Sequence, residues 1–226
     1  MKNAAANPGT DHPIEVVLFD VGGVLLTNGW DHRERAAVYT HFGLSPAEQA
    51  AIEARHPAPY DAWERDAISA AAYLDEVVFF TPRPFTPEQF FARMQTVSVP
   101  IPDNAQRTLA ALSASKQVTV GLLNNESRDL REYRMRTFGL GALVRLQFSS
   151  CYLALRKPEL AIYRRALDIL GTPGSRVLFI DDRAENAAAA REAGMRAIQF
   201  TGEAALQAAL IAHGIDSAAG HAIGVS

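Results

Sequence analysis

Short apolar runs that alternate with helix-like stretches most constrain how this chain can fold. Each run is bounded by turn or helix signals and has the length of a strand buried on both faces. The four clearest runs are Ile14 to Phe19, Val118 to Leu123, Val144 to Phe148 and Val177 to Ile180, and Ala197 to Phe200 is a candidate fifth. This alternation predicts an α/β fold: a Rossmann-like parallel sheet core with helices on both faces.

Helix signals lie between the predicted strands. Asp103 can cap one helix, and Pro158 can open a second. A third helix is predicted over residues 184–193, because Gly194 follows it and favours termination.

The connection between the first and second predicted strands is unusually long. It has roughly ninety residues, whereas a simple crossover between parallel strands needs about a dozen. Capping boxes at Ser45 to Glu48 and Thr86 to Gln89 indicate that this segment is helical. The sequence therefore predicts an α/β core over residues 13–28 and 101–212, an inserted helical cap over 29–100, and flexible tails over 1–12 and 213–226.

Charge and cysteine content restrict the partners. The chain has 226 residues, of which 22 are basic and 25 acidic, and the charges are mixed along the sequence. Without a basic stripe, neither nucleic acid nor an anionic membrane surface is an expected partner. A single cysteine, Cys151, suits a reducing compartment, so we expect a cytoplasmic protein. The sequence does not indicate an oligomeric state.

Polar residues follow the first two predicted strands at the point where each strand ends. Asp20 follows the first strand, and Gly22 and Gly23 after it let the backbone turn sharply and approach a ligand. Asn124 and Asn125 follow the second strand near a helix start, where short polar side chains and backbone amides can hold an oxyanion.

Charged residues follow the next two strands. Lys157 could neutralise phosphate charge and lower the pKa of a nucleophile, and the pair Asp181 and Asp182 suits a hard divalent cation. Taken singly, each residue is common in a turn or at a helix start. Because the carboxyl ends of parallel strands meet at one sheet edge, all of them should converge on one crevice. Charge neutralisation and positioning are what phosphoryl transfer requires.

Four segments resemble, in order, the motifs of the haloacid dehalogenase (HAD) superfamily. They are residues 19–25 (FDVGGVL), 122–125 (LLNN), 156–159 (RKPE) and 179–186 (FIDDRAEN). The resemblance extends from about Ile14 to Phe200, and the helical insert is similar to that of members with a small helical cap. The first and fourth segments look closest to the subgroup of α-D-glucose-1-phosphate phosphatases.

The resemblance implies a role for each motif residue. Asp20 would attack phosphorus and become a transient aspartyl-phosphate. Mg²⁺ would be bound by Asp20, the carbonyl of Gly22 and Asp181, with Asp182 and Asn186 in support. Lys157 would bridge Asp20 and the phosphate of a small phosphorylated metabolite. The residues expected to bind phosphate are Gly23, Asn124, Asn125 and Lys157.

Gly22 departs from the pattern of the superfamily. Most of its phosphatases have a second Asp two residues after the nucleophile, which transfers protons to and from the leaving group and water. Losing such help costs about 10²–10⁴-fold in rate, or about 3–5 kcal/mol. Three explanations stay open: a leaving group that departs unprotonated, a cap residue or water that substitutes, or a silent protein that only binds phospho-ligands.

Dehalogenation of 2-haloacids is a third function to consider, because it tolerates the missing Asp and needs no metal. Asp181 and Asp182 argue against it, since two carboxylates beside Asp20 would repel one another without a cation.

Substrate specificity should reside in the cap, which closes over the crevice. Aromatic residues at helical spacing favour the interior of the cap itself, and Arg33 and Arg35 favour a solvated helix face. The cap residues considered for specificity are Trp30, Arg33, His56, Tyr60, Trp63 and Tyr73.

Overall fold

The structure is a computed structural model that describes residues 13–216. Its centre is a parallel sheet of five strands in the order β3-β2-β1-β4-β5. The strands are β1 (Val16–Phe19), β2 (Thr119–Asn124), β3 (Leu146–Ser149), β4 (Val177–Asp181) and β5 (Arg196–Gln199). The parallel α/β core predicted from the sequence is confirmed.

Alternate residues of β1 point into different apolar layers. Val17 and Phe19 belong to one buried cluster, whereas Val16 and Leu18 belong to another. This period of two shows that the sheet is buried on both faces, as a parallel sheet between helices must be.

Helices surround the sheet and fill the long connection after β1. Those in the connection are α1 (His32–His41), α2 (Pro46–Arg55), α3 (Pro57–Glu64), α4 (Ala70–Val77) and α5 (Pro87–Thr96). Those after it are α6 (Gln106–Ser115), α7 (Arg128–Thr137), α8 (Leu140–Leu143), α9 (Ser150–Leu153), α10 (Leu160–Leu170), α11 (Ala184–Glu192) and α12 (Glu203–Ala212), with a 3₁₀ turn at Gly174–Arg176.

The helices α1 to α5 share an apolar cluster, which Leu130 of α7 joins from outside the insert. Both capping boxes form, at the starts of α2 and α5. Trp30, Trp63 and Tyr73 are fully buried within the cluster, and Trp30 Nε1 donates to the Tyr73 hydroxyl at 2.7 Å. These aromatic residues are therefore interior residues of the insert. We propose that residues 29–100 form the cap.

Three local expectations were wrong at element ends. Asp103 does not cap a helix: its φ is +52°, and the Asn104 side chain instead accepts from the Gln106 amide at 2.9 Å, where α6 begins. The helix after Pro158 begins two residues later, at Leu160. The third strand begins at Leu146, two residues after the predicted start.

Near the carboxyl end of the described residues, Ile215 is buried and packs in the same cluster as Val17. Of the predicted tails over 1–12 and 213–226, the structure describes only residues 213–216, and the remaining residues lie outside the described range. Within 13–216, no helix combines the length and the apolar character needed to cross a bilayer.

Candidate active site

The carboxyl ends of the three central strands bring the predicted residues together. In the register of the sheet, Phe19 lies beside Leu122 on one side and Ile180 on the other. The residues that come next along each strand therefore lie at the same edge of the sheet. They are Asp20 after β1, Leu123 and Asn124 at the end of β2, and Asp181 at the end of β4. Convergence at one crevice follows directly from this register.

Lys157 links the first and fourth motifs. Its Nζ lies 2.8 Å from Asp20 Oδ1 and 2.7 Å from Asp181 Oδ2, and all three side chains are buried. Burial alone would lower the pKa of Lys157, but the charges of Asp20 and Asp181 raise it above its usual value. The lysine is thus held as a cation between two carboxyl groups.

Asp20 has an unusual protonation equilibrium for an aspartate. Burial raises its pKa to about 7, with Asp181 acting in the same direction and Lys157 opposing both. A carboxylate that is to attack an electrophile must be deprotonated, so additional positive charge beside Asp20 would favour its reactive form.

Asp181 is fixed by a set of hydrogen bonds. Its Oδ1 accepts from the Arg183 amide at 2.9 Å and from Asn186 Nδ2 at 3.0 Å. The Asn186 backbone carbonyl in turn accepts from the Tyr163 hydroxyl at 3.0 Å. Asn186 therefore orients the Asp181 carboxylate, and Asp181 itself is 0% exposed.

Asp182 completes a group of three carboxylates. One oxygen from each of Asp20, Asp181 and Asp182 lies within 4.8 Å of the others. The Oδ1 of Asp182 is buried without a hydrogen-bond partner among the described residues. Three carboxylates around one lysine leave uncompensated negative charge and a free buried acceptor. This all-oxygen donor set fits a hard divalent cation.

The loop after β1 is shaped around this group. Gly23 has φ +68°, and a Cβ atom there would collide with the Asp182 carboxylate. Both the backbone conformation and the lack of space for a side chain therefore require glycine. The Gly23 amide donates to the Leu26 carbonyl at 2.8 Å. Its amide is therefore engaged within the loop.

The two predicted asparagines lie in different places. Asn124 is the last residue of β2 and is buried. Asn125 lines the crevice, and its amide group makes two hydrogen bonds to the backbone of Lys157, both at 2.9 Å. Asn125 thus positions the loop that carries Lys157.

The crevice opens into a cavity of about 470 Å³ between the sheet edge and the helices of the insert. His56 and Tyr60 line it, whereas exposed Arg33 lines a second cavity nearby. The solvated position expected for Arg35 was wrong. Arg35 is 8% exposed, pairs with Glu53 at 2.8 Å and also lines the main cavity.

Several lining residues were not identified from the sequence. Asn28 lies over Gly22, and Glu64 lies at the end of α3, where no motif marks it. Arg183 pairs with Asp31 across the cavity mouth at 2.8 Å. Of these residues, the sequence could have suggested only Arg183, through its position within the fourth motif. Asn28, Asp31 and Glu64 come from the insert or from the loop leading into the insert.

The fold and site together are those of an α/β protein with buried carboxylates and a lysine clustered at the carboxyl edge of a parallel sheet. Residues 14–194 match the family model of the haloacid dehalogenase-like hydrolases. The chain belongs to that family.

Solved structures agree on the fold. A HAD family enzyme from Bacteroides thetaiotaomicron is 20% identical with a TM-score of 0.73, over 84% of this chain and 95% of that one. The same enzyme in complex with magnesium and inorganic phosphate gives a TM-score of 0.69. An L-2-haloacid dehalogenase from Xanthobacter autotrophicus, with chloropropionic acid covalently bound, is 18% identical with a TM-score of 0.57, over 88% of this chain and 83% of that one.

A curated relative, the drimenol cyclase drtB of Aspergillus calidoustus, is 42% identical over 53 residues. The match covers 24% of this chain and spans only 10% of the length of that protein.

Proposed function

We propose that this chain is a Mg²⁺-dependent phosphatase of small phosphorylated metabolites that acts through an aspartyl-phosphate on Asp20. The observation that carries the proposal is the cluster at the sheet edge: Asp20, Asp181 and Asp182 around a single lysine, with one Asp182 oxygen left without a partner. The enzyme from Bacteroides thetaiotaomicron with magnesium and phosphate supports this proposal through its shared fold.

The residues that would hold Mg²⁺ are Asp20, Asp181 and the carbonyl of Gly22, with Asp182 in support. When bound, the ion supplies positive charge to the phosphate oxygens and to the carboxylates. This charge would also lower the pKa of Asp20 and favour its carboxylate form.

In the first chemical step, a carboxylate oxygen of Asp20 attacks phosphorus and the bond to the leaving oxygen breaks. Lys157 would neutralise charge on the transferred group, a role that the contact of its Nζ with Asp20 supports. Water then attacks phosphorus in a second step, and the Asp20 carboxylate is regenerated. Asn124 is the residue proposed to donate to the phosphate, and Asn125 to hold Lys157 in position.

Dehalogenation of a 2-haloacid, the third function considered, is supported by the similar fold of the L-2-haloacid dehalogenase. The carboxylate cluster opposes it, because without a cation Asp181 adds to the raised pKa of Asp20 and favours its unreactive, protonated form. A silent phospho-ligand-binding protein ranks second, ahead of dehalogenation. We further propose a cytoplasmic location and a substrate related to that of the α-D-glucose-1-phosphate phosphatases.

The test is a screen of phosphate monoesters with Mg²⁺ and with a chelator, on wild type, Asp20→Asn and a matched control. Asp168→Asn is the control, since Asp168 is exposed on α10 and lies outside the cavity lining. We expect Mg²⁺-dependent phosphate release that Asp20→Asn abolishes and Asp168→Asn retains. Saturable binding without release would favour the silent protein, and chloride release from 2-chloropropionate without Mg²⁺ would favour the dehalogenase.

A further inference from the structure

A buried carboxylate in the insert faces the cavity without an assigned task. Glu64 is the last residue of α3, is 2% exposed and lines the same cavity as Asp20. Its Oε2 lies 2.6 Å from Arg156 Nε, but neither atom makes a well-directed hydrogen bond among the described residues. The Oε2 atom of Glu64 is thus a buried acceptor without a well-directed donor among the described residues.

Glu64 is held against the core although it comes from the insert. Its backbone carbonyl accepts from the Ser150 hydroxyl at 2.8 Å, and Ser150 comes directly after β3. Arg156, its charged neighbour, immediately precedes Lys157, whose Nζ contacts Asp20. The carboxylate is thus positioned by the same segments that position Lys157.

The surroundings of Glu64 suit a group that both donates and accepts a proton. Burial raises its pKa to about 7, and Glu126 acts in the same direction, while Arg156 and the Tyr60 hydroxyl oppose them. Near neutral pH, both protonation states are therefore populated, which is the condition for efficient general acid and base catalysis.

We propose that Glu64 is the acid–base residue of this enzyme, in place of the side chain that Gly22 lacks. The inference rests on the proposed phosphatase function. As Asp20 attacks phosphorus and the ester bond breaks, the Glu64 carboxyl gives its proton to the leaving oxygen, and an alcohol is released. Glu64 then accepts a proton from the water that attacks the aspartyl-phosphate, which releases phosphate and restores both carboxyl groups.

This assignment predicts that esters of ordinary alcohols are substrates, because a protonated leaving group needs no stabilising substituent. The test compares kcat/KM for glycerol 2-phosphate, whose leaving group needs a proton, with p-nitrophenyl phosphate, whose leaving group departs as a stable anion. Glu64→Gln should lower the first by about 10²–10⁴-fold and the second by less than about tenfold.

The matched control is Glu203→Gln, which removes a buried carboxylate that accepts from the Thr108 hydroxyl and does not line the cavity. This control should change kcat/KM for both substrates by the same factor. The pH profile gives a second measurement: wild-type kcat/KM for glycerol 2-phosphate should fall above about pH 7, and Glu64→Gln should lack that decline.

Equal losses on both substrates in Glu64→Gln, or an unchanged alkaline decline, would overturn the assignment of Glu64 and leave the phosphatase function standing. A wild-type protein that releases phosphate from neither ester, nor from any other monoester of the screen, would overturn the phosphatase function and, with it, this assignment.

Discussion

The side-chain oxygen of Asn28 lies 2.7 Å from the point at which a Cβ atom would stand on Gly22. The space that an acid–base side chain would use at position 22 is therefore already filled. Gly22→Asp alone should not raise kcat/KM, because the new side chain must first displace Asn28. Combined with Asn28→Ala in a Glu64→Gln background, Gly22→Asp should restore part of the kcat/KM that Glu64→Gln loses. A higher kcat/KM in Gly22→Asp alone would contradict this expectation and show that the Asn28 side chain is displaced at little cost.

Lys157 should contribute to stability as well as to catalysis. Replacing it with Met leaves Asp20 and Asp181 buried without their cation, which should lower the free energy of unfolding by about 3–5 kcal/mol at neutral pH. Urea titration with and without Mg²⁺ measures this change. Mg²⁺ should restore part of the loss, whereas an Mg²⁺-insensitive deficit would contradict a shared site for the ion and the carboxylates.

Asp182 should contribute to Mg²⁺ affinity. Its buried Oδ1 has no hydrogen-bond partner among the residues of the described range, so removing its charge should weaken Mg²⁺ binding by about 10–100-fold. The midpoint of the Mg²⁺-induced rise in Tm measures this affinity, and Asp168→Asn serves as the control. If Asp182→Asn had the wild-type midpoint, Asp182 would not contribute to Mg²⁺ binding.

His56 should make the protein less stable in acid. Burial, followed by the charge of Arg35, lowers its pKa from 6.5 to about 4. Its Nε2 lies 3.0 Å from Arg35 Nη1 and, because arginine can only donate, must accept there. Its Nδ1–H then donates to the Tyr73 hydroxyl, 2.8 Å away.

Between pH 6.5 and about 4 the unfolded histidine binds a proton that the folded one excludes, so stability falls as the pH decreases through this window. Wild type should lose roughly 2 kcal/mol more than His56→Gln across it. Urea unfolding of both proteins at several pH values measures the difference. If the free energies of unfolding of the two proteins depended on pH in the same way, that result would contradict a neutral, buried His56.

The sequence predicted the sheet and the convergence of Asp20, Lys157 and Asp181 because both depend on local patterns. Apolar runs identify buried strands, and parallel topology alone brings their carboxyl ends together. The same patterns could not place Asn28 over Gly22, since that contact depends on how the loop after β1 folds back.

Tertiary packing also decided the burial of charged residues in the insert. Arg35 lies on a helix whose sequence is polar, yet it is buried because Glu53 of α2 and the Trp30 carbonyl satisfy its guanidinium. Glu64 is buried beside Arg156, which follows it by more than ninety residues in the printed sequence. Pairs so distant in sequence leave no periodic signal.

The most direct test of the central claim is to identify the residue that becomes phosphorylated. Wild-type protein is mixed with Mg²⁺ and a monoester that it hydrolyses, denatured in acid during turnover, reduced with borohydride and mapped by mass spectrometry. An aspartyl-phosphate at the nucleophile is converted to homoserine, so homoserine should appear at position 20, and Asp20→Asn should give none. Steady phosphate release with an unmodified Asp20, or with the label on another residue, would contradict the proposed mechanism.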